Sequence, residues 1–304
     1  MVSALFFLFG LVVGSFLNVC ITRIPENESI VTPGSHCRRC GTPIKPYDNI
    51  PVISWLILQG KCRACGQPIS AFYPAIELLT GFLFMACYWN FGLTLLALKW
   101  VVFTSLIIVL TVTDFRVRLL PDAVNWYGAC LGIAFAVRVY PGDEFVRALA
   151  TRYLPVAATS PVLGPLTGVL DALCGAALGG LLLWGAAMLY KLVRKREGMG
   201  LGDMKMMAMV GTFLGVRGAF LTILIGTLLG SILGLAVVLS LYFGGWKKEV
   251  ARRASRMGKG KENGIRWTIA SRYQLPLGTF LGAGALIFVH FDAWIGWELL
   301  KILR

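Results

Sequence analysis

The chain has 304 residues, 57% of them hydrophobic and 14% charged, with a formal charge of +14. Apolar runs approaching 20 residues recur along it, each long enough to cross a bilayer, which excludes a single soluble domain. The runs are continuous rather than alternating, which excludes a β-barrel. The positive charge fits the cytoplasmic Lys/Arg bias of membrane proteins. The basic stretches lack aromatic interleaving, so no nucleic-acid partner is expected.

The fold expected is all-α: a polytopic membrane protein of about eight transmembrane helices with a small cytoplasmic loop domain. The spans are placed at 2–20, 72–89, 93–112, 122–137, 166–190, 206–215, 220–243 and 275–293. With the N-terminus outside, the cytoplasmic segments carry 22 Lys and Arg against 6 on the other side, which sets the orientation. The first run lacks a basic n-region and a small-x-small cleavage site, so it is expected to stay as an anchor over 1–20.

That first span ends in GLVVGSFLNVCITRIP. Gly10, Gly14 and Ser15 put small residues near one face, as close helix packing requires. Asn18 and Arg23 bring polar groups to its cytoplasmic edge, where a snorkelling arginine is the plain reading. The loop 21–71 follows. It holds Cys37, Cys40, Cys62 and Cys65 in a C-x2-C-x21-C-x2-C array. Two such knuckles offer four thiolates at the corners of a tetrahedron, which suits a closed, structural zinc site. A cytoplasmic loop disfavours disulfides. Cys20, Cys87, Cys130 and Cys174 are scattered through apolar stretches and read as packing residues.

Pro74 suits the first turn of the second span. Glu77 lies one turn inside it; an intramembrane acid is a functional candidate by default, and a partner such as a loop arginine would explain it equally well. The third span leads into TDFRVRLLPD. Asp122 is placed to start the next helix. Asp114 sits at a helix C-terminus, where the dipole disfavours a negative charge. Asp171 reads as a packing or capping group. Residues 198–205 read GMGLGDMK, and three alternate glycines argue against an unbroken helix there. Asp203 then stands where a hydrated loop meets a span. The basic stretch 244–274 reads either as a segment on the anionic inner leaflet or as a solvated loop. No internal repeat and no phosphate-cradling loop is evident.

Asp114 and Asp203 come from separate spans, yet both are expected at the cytoplasmic surface. Two carboxylates held together need not both ionise, so one retains a proton while the other acts as base. That is the requirement of an aspartic protease. The alternatives are an ion path, which needs acids at mid-depth, and a zinc-stabilised scaffold without catalysis.

GSFLNVCITRIP, the CRRC/CRAC array with YDNIPVISW between, YPAIELLTG, TDFRVRLLPD and EGMGLGDMK occur in one order. With them the chain resembles the bacterial type IV prepilin peptidase family, also called prepilin leader peptidase/N-methyltransferase. The resemblance implies an inner-membrane enzyme with two activities. One cuts the basic leader from prepilins or type II secretion pseudopilins on the cytoplasmic side. The other methylates the new N-terminus with S-adenosylmethionine. It places the catalytic pair on Asp114 and Asp203, and zinc on Cys37, Cys40, Cys62 and Cys65. It makes 72–304 the peptidase domain and 21–71 a methyltransferase-associated region. It makes Gly14, Ser15, Asn18, Arg23 and Glu77 the methyl-donor candidates. Three features depart from the family: the long loops 138–165 and 244–274, the arginines at 38 and 39, and LPLGTF where Pro-Phe-Gly-Pro is commoner.

Overall fold

The computed structural model describes residues 1–139, 163–195, 200–243 and 276–302. The basic stretch 244–274, nearly all of the 138–165 loop, and Gly198 and Met199 lie outside the described residues. Among the described residues the chain is helical. Its helices are α1 (Val2–Arg23), α2 (Ile53–Ile57), α3 (Phe72–Phe91), α4 (Leu95–Val117), α5 (Asp122–Ala136), α6 (Leu163–Arg194), α7 (Leu201–Phe243) and α8 (Leu277–Ile302).

Their ends follow from local chemistry. Thr94 caps α4 by accepting the Ala97 N–H at 3.2 Å. Arg118 stops the same helix in the left-handed conformation, its N–H donating to the Asp114 carbonyl at 2.9 Å. Pro121, extended at ψ 126°, precedes α5.

Among the described residues, five helices are long and apolar enough to cross a membrane: Val2–Glu26, Phe72–Phe91, Leu95–Val117, Gly164–Arg194 and Leu201–Ala236. The eight expected spans are therefore reached only in part. α5 has 15 residues, about 22 Å of helix, short of a hydrocarbon core about 30 Å thick. The spans expected at 206–215 and 220–243 form one element, α7, broken at Gly215 (φ 71°, ψ −168°), a backbone conformation open to glycine. The helix also starts earlier than expected. It includes Gly202 and Asp203, so the glycine-rich stretch ends in helix rather than staying a loop.

The first half of α7 is the centre of the molecule. Met206, Met207, Met209 and Phe213 are fully buried. α5, α6 and α8 pack around it, and α4 lies against α8. α1 and α3 form a second close pair beside α4. Their backbones nearly touch: a side-chain carbon on Gly14 would lie 2.8 Å from the Glu77 Cα. Small residues permit that approach, as the first span's pattern predicted.

Candidate active site and metal centre

Asp114 stands in the last turn of α4 and is buried. Asp203 stands in the first turn of α7 and is half-buried. The start of α8 brings them together. The Thr279 N–H donates to Asp114 Oδ2 at 2.6 Å, and the Thr279 hydroxyl donates to the same oxygen at 2.9 Å. The Gly278 N–H acts on Asp203 from the same helix start. A side-chain carbon on Gly278 would sit 3.0 Å from Asp114 Oδ2 and 3.1 Å from Asp203 Oδ1. Both oxygens thus lie close to one point, and their separation cannot exceed the sum of those two distances. Only glycine leaves that point empty.

The N-terminus of α8 also answers the dipole problem of Asp114. The C-terminal end of its own helix disfavours its charge, while the facing helix N-terminus favours it. The dipole of α7 favours Asp203 in the same way. Arg118 adds a positive charge that acts on Asp114.

A second contact ties the two aspartate-bearing segments. Lys205 Nζ lies 2.8 and 2.7 Å from the two oxygens of Asp122. Asp122 starts α5 without making a side-chain cap bond, and its partner comes from the segment of Asp203. Around these groups Phe115, Val117, Leu119 and Leu201 are exposed and apolar.

The four cysteines of the loop converge as well. Their sulfurs all lie within 4.8 Å of one another, with Cys37 and Cys65 3.9 Å apart. A zinc tetrahedron with Zn–S bonds near 2.3 Å has edges of about 3.8 Å, so the donor set and its spacing fit that ion. Each knuckle is built alike. The Gly41 N–H donates to the Cys37 carbonyl at 2.8 Å and the Gly66 N–H to the Cys62 carbonyl at 2.9 Å, with both glycines at positive φ. Bridges His36–Pro43 and Lys61–Pro68 close the two turns. The sequence shows why, and corrects the reading that there is no repeat: CRRCGTPI at 37–44 and CRACGQPI at 62–69 are one unit used twice. The Thr42 hydroxyl, 3.2 Å from Cys40, pulls that thiol down to about 6. Arg63 donates to both oxygens of Asp48 at 2.8 and 2.6 Å, which holds that carboxyl below its usual range.

The five residues proposed for the methyl donor form the seam between this loop and the helices. Asn18 donates to the Tyr73 carbonyl at 3.0 Å. Arg23 is buried and donates to the carbonyls of Ser29, Pro33 and Gly34 at 2.9, 2.7 and 3.2 Å. It folds the loop's start rather than snorkelling. Glu77 accepts from Ser15 and, at 2.8 Å, from the Val52 N–H. Val52 is a β-branched residue at φ 63°, ψ −50°, in a γ-turn closed by the Ile53 N–H on the Pro51 carbonyl at 2.6 Å. That conformation is strained by roughly 1–3 kcal/mol. Glu77 anchors its N–H. With Gly14 against the Glu77 backbone, these polar groups are already engaged by the protein.

Residues 8–91 match the model of the bacterial peptidase A24 N-terminal domain, and residues 101–235 match that of the type IV leader peptidase family. A Myxococcus xanthus protein named prepilin leader peptidase/N-methyltransferase is 38% identical over 234 residues, 77% of this chain and 62% of that protein. Proteins of the same name from Pseudomonas aeruginosa and Bacillus subtilis are 34% identical over 254 and 237 residues. Those alignments cover 76% and 78% of this chain, and 79% and 84% of the relatives. The chain belongs to the type IV leader peptidase family. No solved structure matches it.

In this family member the first matched region contains the cysteine array and the α1–α3 seam. The second contains Asp114 and Asp203. Gly278 and Thr279 lie beyond both regions, and the sequence reading missed them as site residues. A neutral LPLGTF string gives no chemical signal of its own.

Proposed function

We propose that this protein is an aspartic peptidase of the cytoplasmic membrane. It cleaves the leader from type IV prepilins or type II secretion pseudopilins at the cytoplasmic face, and it methylates the new N-terminal amine using S-adenosylmethionine. The relatives' shared name supports both activities. The observation that carries the peptidase assignment is the meeting of Asp114 and Asp203 at Gly278.

Two carboxylates facing one point influence each other's ionisation and titrate as a pair, so one can keep a proton while the other is ionised. The ionised member takes a proton from water, and the protonated member polarises the scissile carbonyl. The ends of α4 and α7 hold the pair at the membrane boundary, within reach of a peptide whose apolar helix stays in lipid. The exposed apolar residues Phe115, Val117, Leu119 and Leu201 suit the flank of such a helix. The Lys/Arg asymmetry supports the cytoplasmic placement.

Cys37, Cys40, Cys62 and Cys65 would hold zinc, which supplies a closed structural cross-link and no open coordination position. Gly14, Ser15, Asn18, Arg23 and Glu77 serve methyl transfer by seating the zinc loop on the helices. The same residues are the candidates for holding the methyl donor, with Asn18, Arg23 and Glu77 already tied to the loop.

The test is purified protein mixed with a prepilin in detergent, with and without S-adenosylmethionine, followed by product mass. The expected products are the trimmed chain and the trimmed chain plus one methyl. Substrate left intact would overturn the proposal.

A further inference from the structure

Asp114 and Asp203 face the same helix start but receive different donors. Asp114 Oδ2 takes two hydrogen bonds, both from Thr279. Among the described residues, the donor that acts on Asp203 is the backbone N–H of Gly278. N–H and O–H donors stabilise a carboxylate in its ionised form, and charge-assisted bonds are about twice as strong as neutral ones. The Thr279 hydroxyl also has the Thr111 carbonyl at 3.3 Å, longer than its 2.9 Å contact with Asp114, so the carboxylate is the closer acceptor.

We propose that Thr279 is a positioning residue that divides labour within the pair: it keeps Asp114 as the base and leaves the shared proton on Asp203. This rests on the aspartic-peptidase reading above. In the step it implies, Asp114 takes one proton from water as the water oxygen bonds to the scissile carbonyl carbon. Asp203 gives its proton to the carbonyl oxygen, forming a gem-diol. The C–N bond then breaks as Asp114 passes its proton to the leaving nitrogen. One gem-diol hydroxyl returns a proton to Asp203 as the new carboxyl forms. Both aspartates end as they began.

Among the described residues, the other charged groups around Asp114 have partners of their own or act on it directly. Arg118 acts on it from the end of its own helix, and Asp203 faces it from α7. Arg116 lies over the Phe72 ring of α3, 5.4 Å from its centre. Lys205 is held by Asp122 of α5, Glu77 of α3 by the Val52 N–H, and Arg23 of α1 by loop carbonyls. Between Leu277 and Phe291, α8 carries only His290 as a titratable group, about three turns beyond Thr279.

The experiment is the pH–rate profile of prepilin cleavage by the full chain in detergent. Thr279→Val removes the hydroxyl and keeps the N–H. Thr279→Pro removes both donors, and the N–H lost, in the first turn of α8, has no intrahelical partner. Thr279→Ser keeps both. The acid limb of kcat/KM is expected to move to higher pH by about one unit in Thr279→Val. It should move further in Thr279→Pro and stay in place in Thr279→Ser. Thr279→Ala is the second hydroxyl-free variant should Thr279→Val fail to fold. Acid limbs of the hydroxyl-free variants lying on the parent's, with Asp114→Asn and Asp203→Asn inactive, would overturn this inference alone. Cleavage by either Asn variant would instead overturn the dyad on which it rests.

Discussion

Lys205 Nζ bridges both oxygens of Asp122, at 2.8 and 2.7 Å, across 83 positions of sequence. Lys205 is two residues past Asp203, and Asp122 follows Asp114 by one short turn. The contact therefore joins the segments that carry the two aspartates. Both side chains are substantially exposed, so the pair contributes at most about 1 kcal/mol to stability. Its expected effect is on geometry. Lys205→Met should slow cleavage about tenfold with little change in thermal stability, since small misplacements of reacting groups are costly. The reversed pair, Asp122→Lys with Lys205→Asp, should recover part of that rate. A double variant no faster than either single one would remove the positional role.

Glu77 anchors the Val52 turn on α3. Glu77→Ala leaves the N–H of the strained Val52 without its partner. Protease cutting within 21–71 should then rise, and methyl transfer should fall several-fold more than leader cleavage. Equal loss of the two activities would show that the loop is not separable from the peptidase centre.

Metal removal should act on the same loop. A chelator strong enough to strip a four-thiolate site is expected to release close to one zinc per chain and unfold 21–71, with cleavage reduced less than methylation. Hydrogen exchange over 37–69 is the direct readout. Unchanged protection after complete stripping would mean the knuckle backbone holds without an ion.

Much of this was legible because the residues concerned carry their own chemical signatures. Cysteine spacing gave the metal cluster, and charged residues beside apolar runs pointed to Asp114 and Asp203. Positions defined only by their neighbours were not legible. Gly278 is a site residue because two carboxylates converge on it, and nothing in LPLGTF announces that. Arg23 sits at a membrane edge, where snorkelling is the ordinary reading, and only the folded loop supplies its three carbonyls. The start of α7 was misplaced because glycine's weak helix propensity is overridden by tertiary packing along the same helix. The knuckle repeat is short, and its Gly-x-Pro-Ile shapes a turn rather than supplying a ligand, so cysteine spacing alone does not reveal it.

Asp114 and Asp203 acting as one unit is the central claim, and the rate of leader cleavage in the single variants tests it most directly. Asp114→Asn and Asp203→Asn, each folded and each still holding metal, should both lose at least about a thousandfold in kcat/KM, with the double variant no worse than the weaker single one. Cleavage within about tenfold of the parent in either variant would contradict the account.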